Sequence, residues 1–97
     1  MVYTQEQIIA FIEPILKKYH AESAILFGSY ARREADQNSD IDVIVIGGKD
    51  FCTKDIFAVA EELSQASGKG VDVYEIQELD RNSEFYRTVI CEGVKVA

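Results

Sequence analysis

Two aspartates spaced two residues apart, Asp40 and Asp42, open the run DIDVIVI. Side chains of an extended strand alternate with a period of two, so both carboxylates point to one face with Cα atoms about 6–7 Å apart. The next residues on that face, Ile44 and Ile46, are apolar. Two carboxylates ~5 Å apart at an effective dielectric near 20 repel by roughly 3 kcal/mol. A divalent cation reverses the sign of that energy, and an oxygen-rich site of this kind suits Mg²⁺ or Mn²⁺. A third acid, Asp72, lies in VDVYEI between Val71 and Val73. An acid in a valine-rich strand is unexpected unless an arginine or a metal partners it. If the two strands are neighbours, three carboxylates share a face and can hold two metals, as used for in-line phosphoryl displacement.

Upstream, Gly28-Ser29 ends the apolar run Ala24–Phe27. Glycine permits close backbone approach, and the serine hydroxyl with the following N–H groups can cradle a phosphate. Taken alone, Gly-Ser reads equally as a strand-ending turn and Asp40 as a turn cap. Joined by ten intervening residues to Asp40-Ile41-Asp42, the two signals reinforce each other.

These residues need elements to position them. Thr4-Gln5-Glu6-Gln7 has the form of a capping box, and Ile8, Phe11, Ile12, Ile15, Leu16 and Tyr19 recur at helical spacing. Pro14 inside that pattern predicts a kink or split near Glu13. Ala24–Phe27, Asp40–Ile46 and Val71–Ile76 read as strands. Tyr30–Ala35 reads as a short helix. Lys49–Ser67 reads as a longer one with Ile56, Phe57, Ala60 and Leu63 inward and Gly68 as its stop. Ser83 caps a last helix that runs through Glu92 and ends at Gly93. The alternation α-β-α-β-α-β-α predicts an α/β (α+β) fold, a small mixed sheet with helices packed on it.

With 97 residues the chain allows one domain, spanning 1–97. There are 17 acidic residues against 10 basic ones, a formal charge of −7. That balance argues against broad nucleic-acid affinity, which needs clustered Lys and Arg, and fits a basic protein partner or plain solubility. No stretch suggests a membrane span or a signal peptide, so a cytoplasmic protein is expected. Cys52 and Cys91 lack metal-site spacing and are expected to be small buried hydrophobes. His20 reads as a polar residue after a helix end. Tyr3, Tyr19, Tyr30, Tyr74 and Tyr86 read as core or boundary aromatics. Glu61, Glu62, Glu75 and Glu78 read as solvated charges. Arg32 and Arg33 suit contact with a triphosphate or a partner, and equally suit solvent.

The segment FGSYARREADQNSDIDVIV resembles the signature of the polymerase-β-like nucleotidyltransferases, and most of all their minimal nucleotidyltransferase branch. That branch includes the antitoxin partners of HEPN-domain toxins. The resemblance extends from the helix before Phe27 to the EGVKV tail. It implies that Asp40, Asp42 and Asp72 are catalytic and bind two Mg²⁺, that Gly28 and Ser29 hold the nucleotide phosphates, and that Asp72 helps deprotonate an acceptor hydroxyl. It further implies transfer of AMP from ATP to a tyrosine of a HEPN toxin, so that a nucleoside triphosphate and a toxin protein are the expected partners. Two other functions fit the same residues: an antitoxin that neutralises by binding alone, and the catalytic subunit of a small-molecule nucleotidyltransferase. One position departs from the pattern. Arg33 stands where the family commonly has glycine, which puts the shape of the loop near the triphosphate in question.

Overall fold

The computed structural model describes residues 2–96. The first helix, α1 (Gln5–Lys18), opens on a reciprocal cap. The Thr4 hydroxyl accepts from the Gln7 N–H at 3.1 Å, and the Thr4 N–H donates to Gln7 Oε1 at 2.8 Å. Pro14 neither splits nor ends the helix. Pro14 and Ala10 both lie on the solvent side, so the Ala10 carbonyl that proline cannot serve is free to bond water. His20, at φ 61°, turns the chain out of the helix.

Four strands follow: β1 (Ser23–Phe27), β2 (Ile41–Ile46), β3 (Val71–Glu75) and β4 (Val94–Val96). They form one sheet in the order β3-β2-β1-β4. β1 is antiparallel to both β2 and β4, whereas β3 runs parallel to β2. The parallel pair is joined by the crossover helix α2 (Ile56–Ser67), and α3 (Glu84–Glu92) leads into β4. The mixed sheet with flanking helices is therefore as expected.

Strand alternation sorts the core into two layers. Ala24, Leu26, Ile41, Val43 and Val45 face α1 and α2, where they meet Ile8, Ile12, Val59 and Leu63. Ile25 and Ile44 face the other way and bury Val89 of α3. Each of the Val, Leu and Ile side chains, fully buried, contributes about 1.5–3 kcal/mol. Asp42 and Asp72 fall on the α3 side, in step with Ile44 and Tyr74.

Several local expectations are corrected. Tyr30–Ala35 is a series of turns, not a helix. The helix expected from Lys49 begins only at Ile56, after a 3-10 turn at Thr53–Asp55. Upstream of it the Phe51 ring folds over Gly47, where a Cβ would lie 2.5 Å from Phe51 Cδ2. The buried face of α2 is set by Ile56, Val59 and Leu63, which leaves Phe57 82% exposed rather than inward. β4 was not anticipated, because three residues carry almost no period-two signal. Cys52 and Cys91 are free but exposed, not buried: Cys52 precedes the 3-10 turn and Cys91 lies on the outer side of α3. Glu75 is buried rather than solvated, and its carboxylate accepts the Gln77 N–H at 2.6 Å. Glu62 is half-buried and engaged by Lys18 and Tyr19. Among the described residues no helix is long and apolar enough to cross a membrane.

Candidate active site

The three aspartates reach one place by two routes. Asp40 comes from the position just before β2 and Asp42 from the second residue of the strand. Asp72 comes from β3, where parallel pairing sets it directly beside Asp42. Neighbouring strands lie about 4.8 Å apart, less than the ~6–7 Å between alternate residues of one strand. The crowding on Asp42 follows that order. Its carboxyl is pushed up from the ordinary 3.8 to about 6, first by burial, then by the charge of Asp72, then by that of Asp40. A hydrogen bond with Asp72 adds to the rise, and the Arg32 guanidinium opposes it.

Glycines make room for this row. At Gly28, with φ +75°, a Cβ would lie 2.6 Å from Asp42 Oδ2. At Gly70 a Cβ would lie 2.6 Å from Asp40 Oδ1. Gly70 also accepts the Ile41 N–H at 2.9 Å, the bond that starts the β2–β3 register. Among the described residues no three His, Cys, Asp or Glu side chains make a ready cage for an ion. The aspartates form an open row of hard oxygen donors with Asp42 in the middle. Such a row fits a divalent cation that keeps several of its waters.

The turn after β1 lies against the same row. The Gly28 carbonyl accepts from Arg32 N at 3.1 Å, and the Ser29 carbonyl accepts from Glu34 N at 2.9 Å. These bonds curl the chain so that the N–H groups of Ser29, Tyr30 and Ala31 donate to no acceptor among the described residues. Consecutive free N–H groups of this kind favour an anion. The two arginines part company. Arg32 sits near Asp42 and pairs with Glu34 at 3.5 Å and Glu92 at 3.6 Å. Arg33 turns away and donates to Gln5 Oε1 at 3.3 Å.

Sequence comparison decides the family. The family model described as "Polymerase beta, Nucleotidyltransferase" matches residues 11–97. The chain belongs to this nucleotidyltransferase family. Two relatives from Methanocaldococcus jannaschii, both named "Putative protein adenylyltransferase", match it. One is 44% identical over 62 residues, 64% of this chain and 67% of the relative. The other is 31% identical over 97 aligned positions, 92% of this chain and 93% of the relative. Among solved structures, a toxin–antitoxin structure with AMP-PNP superposes with a TM-score of 0.76 at 22% identity, covering 96% of this chain and 73% of that one. A tri-AMPylated Shewanella oneidensis HEPN toxin in complex with MNT antitoxin gives 0.72 at 20% identity, covering 97% and 72%. At these identities the structural likeness establishes the fold.

Arg33 is the position at which the sequence departs from the pattern that the resemblance implies. Arg33 adopts φ 59°, the left-handed region that glycine enters freely. A non-glycine residue there costs roughly 1–2 kcal/mol, against ~0.5–1 kcal/mol of extra chain entropy for glycine. Arg33→Gly is therefore expected to stabilise the nucleotidyltransferase by about 0.5–1 kcal/mol, read as a higher urea midpoint at unchanged slope. The arginine thus preserves the turn at a small energetic cost. Sequence reasoning did not single out Gly70. Its only signal was position, two residues before Asp72 at the mouth of a strand. Nor did it separate Arg32 from Arg33, since their difference arises from the turn geometry alone.

Proposed function

We propose that this nucleotidyltransferase is a protein adenylyltransferase, moving AMP from ATP to a hydroxyl of a partner protein. The observation that carries this reading is the relationship to two proteins named as adenylyltransferases, at 44% and 31% identity. The proposed acceptor is a tyrosine of a HEPN-type toxin, which makes the chain an antitoxin acting in the cytoplasm. The solved complex of an AMPylated HEPN toxin with an MNT antitoxin supports that choice, because it has the same fold.

The residues suit the chemistry. Gly28 and Ser29, with the free N–H groups that follow, hold the triphosphate. Asp40, Asp42 and Asp72 would hold Mg²⁺, two ions in the proposed form, which when bound neutralises triphosphate charge. Asp72, on the exposed outer strand, accepts the proton of the acceptor hydroxyl. The acceptor oxygen bonds to the α-phosphorus, the bond from that phosphorus to the β-phosphate bridge breaks, and pyrophosphate leaves. Catalysis is then mainly positioning and electrostatics. Arg32, close to Asp42, contributes positive charge beside the phosphates.

The test is incubation of the chain with labelled ATP, Mg²⁺ and the protein encoded beside it, followed by intact mass. The partner is expected to gain AMP, and the Asp40→Asn/Asp42→Asn double variant should add none. If that double variant still neutralises a toxin partner in full, inhibition works by contact and the enzymatic reading fails. A partner that gains no nucleotide from any nucleoside triphosphate has the same consequence.

A further inference from the structure

Beside the carboxylates, the α3-facing side of the sheet carries three rings in mutual contact. The centroids of Phe27 and Phe85 lie 5.4 Å apart with the rings edge to face. Tyr74 stands 6.0 Å from Phe85 and 6.3 Å from Phe27. Rings recruited only to pack would be expected to sink into the core, where burial returns most. Phe27 packs on the Ile25–Ile44–Val89 cluster, but the other two stay open: Tyr74 is 43% exposed and Phe85 42%. Each comes from a different element, β1, β3 and α3, so the cluster is a product of the fold and not of a local sequence run.

Its position relative to the acids is fixed by register. Phe27 is paired with Asp42, and Tyr74 follows Asp72 by two residues on the same face. Ser29 lies two residues beyond Phe27 in the other direction. The Ser29 turn and the Tyr74 ring thus flank the Asp42 rung from opposite ends, on strands two places apart in the sheet. A single molecule held by its phosphates at Gly28–Ser29, and crossing the aspartate row, arrives at the rings with its base.

We propose that Phe27, Tyr74 and Phe85 form the platform on which the nucleobase stacks. The proposal rests on the nucleotidyl-transfer reading above and adds where the base goes and how it is chosen. Stacking uses the π-face that every base has, so the platform selects by ring area more than by edge pattern. ATP and GTP are therefore expected to bind alike, and both better than CTP or UTP.

The experiment measures equilibrium binding of ATP and of inorganic tripolyphosphate to the full chain in Mg²⁺, by titration calorimetry. Phe85→Ala and Tyr74→Ala are each expected to weaken ATP about 10-fold or more while leaving tripolyphosphate unchanged. Phe85→Trp, which keeps an aromatic face, is expected to restore ATP binding and guards against a folding defect. Equal weakening of both ligands would mean the rings only support the fold and would overturn the proposal. So would unchanged ATP binding with a raised KM for the protein acceptor, which would assign the rings to the acceptor. A wild-type chain that binds neither ligand would sink the nucleotidyl-transfer reading itself, whereas wild-type binding that ignores the rings would sink only the platform.

Discussion

Asp42→Asn is expected to give a chain that is more stable than the wild type and inert in nucleotide transfer. The site holds Asp42 at about 6, against an ordinary 3.8, because burial and two neighbouring carboxylates disfavour its charge. A carboxyl raised in this way destabilises the folded state above its folded pKa, and the penalty fades as pH falls from about 6 toward 3.8. A shift of about two units corresponds to ~3 kcal/mol before screening. The site is open to water on one side, so about 1–2 kcal/mol is the expected gain at pH 7. For a chain of this size that is a rise in Tm of roughly 5–10 °C. Measured in chelator, the wild type should grow more stable between pH 7 and 4 relative to Asp42→Asn, and the difference should close at the acid end. An Asn variant less stable than wild type at pH 7 would contradict the account. Loss of transfer by at least about a thousand-fold is expected in the same variant, since the central oxygen donor of the row has lost its charge.

Gly28→Ala should lose both stability and transfer, and Gly68→Ala should separate the two. Both glycines have left-handed backbones, at φ +75° and +72°. Alanine there costs roughly 1–2 kcal/mol through the backbone alone. At Gly68 the added methyl meets nothing within 4 Å. At Gly28 it meets the Asp42 carboxylate at 2.6 Å and its Cγ at 3.4 Å, so the carboxylate must shift. A displacement near 1 Å at a reacting centre lowers rate by about 100-fold. The expected pattern is similar losses of urea midpoint in the two variants, with transfer retained by Gly68→Ala and reduced about 100-fold or more by Gly28→Ala. If both variants keep full transfer, Gly28 is only a turn residue.

The parts of this fold that the sequence announces are those governed by local rules. The Thr4 box, the Ser83 cap, the Gly68 stop and the β-branched run of β2 each depend on neighbours a few residues away. What it conceals depends on tertiary contact. Phe57 has the residue type of a core position, yet the phase of α2 is fixed by Ile56, Val59 and Leu63 against the sheet. Glu75 resembles a solvated acid until the chain bends at Gln77 and supplies an N–H for it. Three residues of β4 become a strand only because β1 has a free edge. The site divides the same way. Period-two spacing made the Asp40–Asp42 pair legible, and an acid among valines marked Asp72. That Asp72 stands opposite Asp42 depends on the register that the α2 crossover and the Ile41–Gly70 bond impose.

The sheet order gives the two halves of the aspartate row unequal stiffness. β2 has a bonded neighbour on each side, so Asp42 is clamped. β3 has one neighbour only, and Asp72 rides on that rim. In the proposed reaction, the inner carboxylate, held from both sides, would act as the fixed jaw of a vice, and the rim carboxylate, held from one side, as the jaw that adjusts when an acceptor enters.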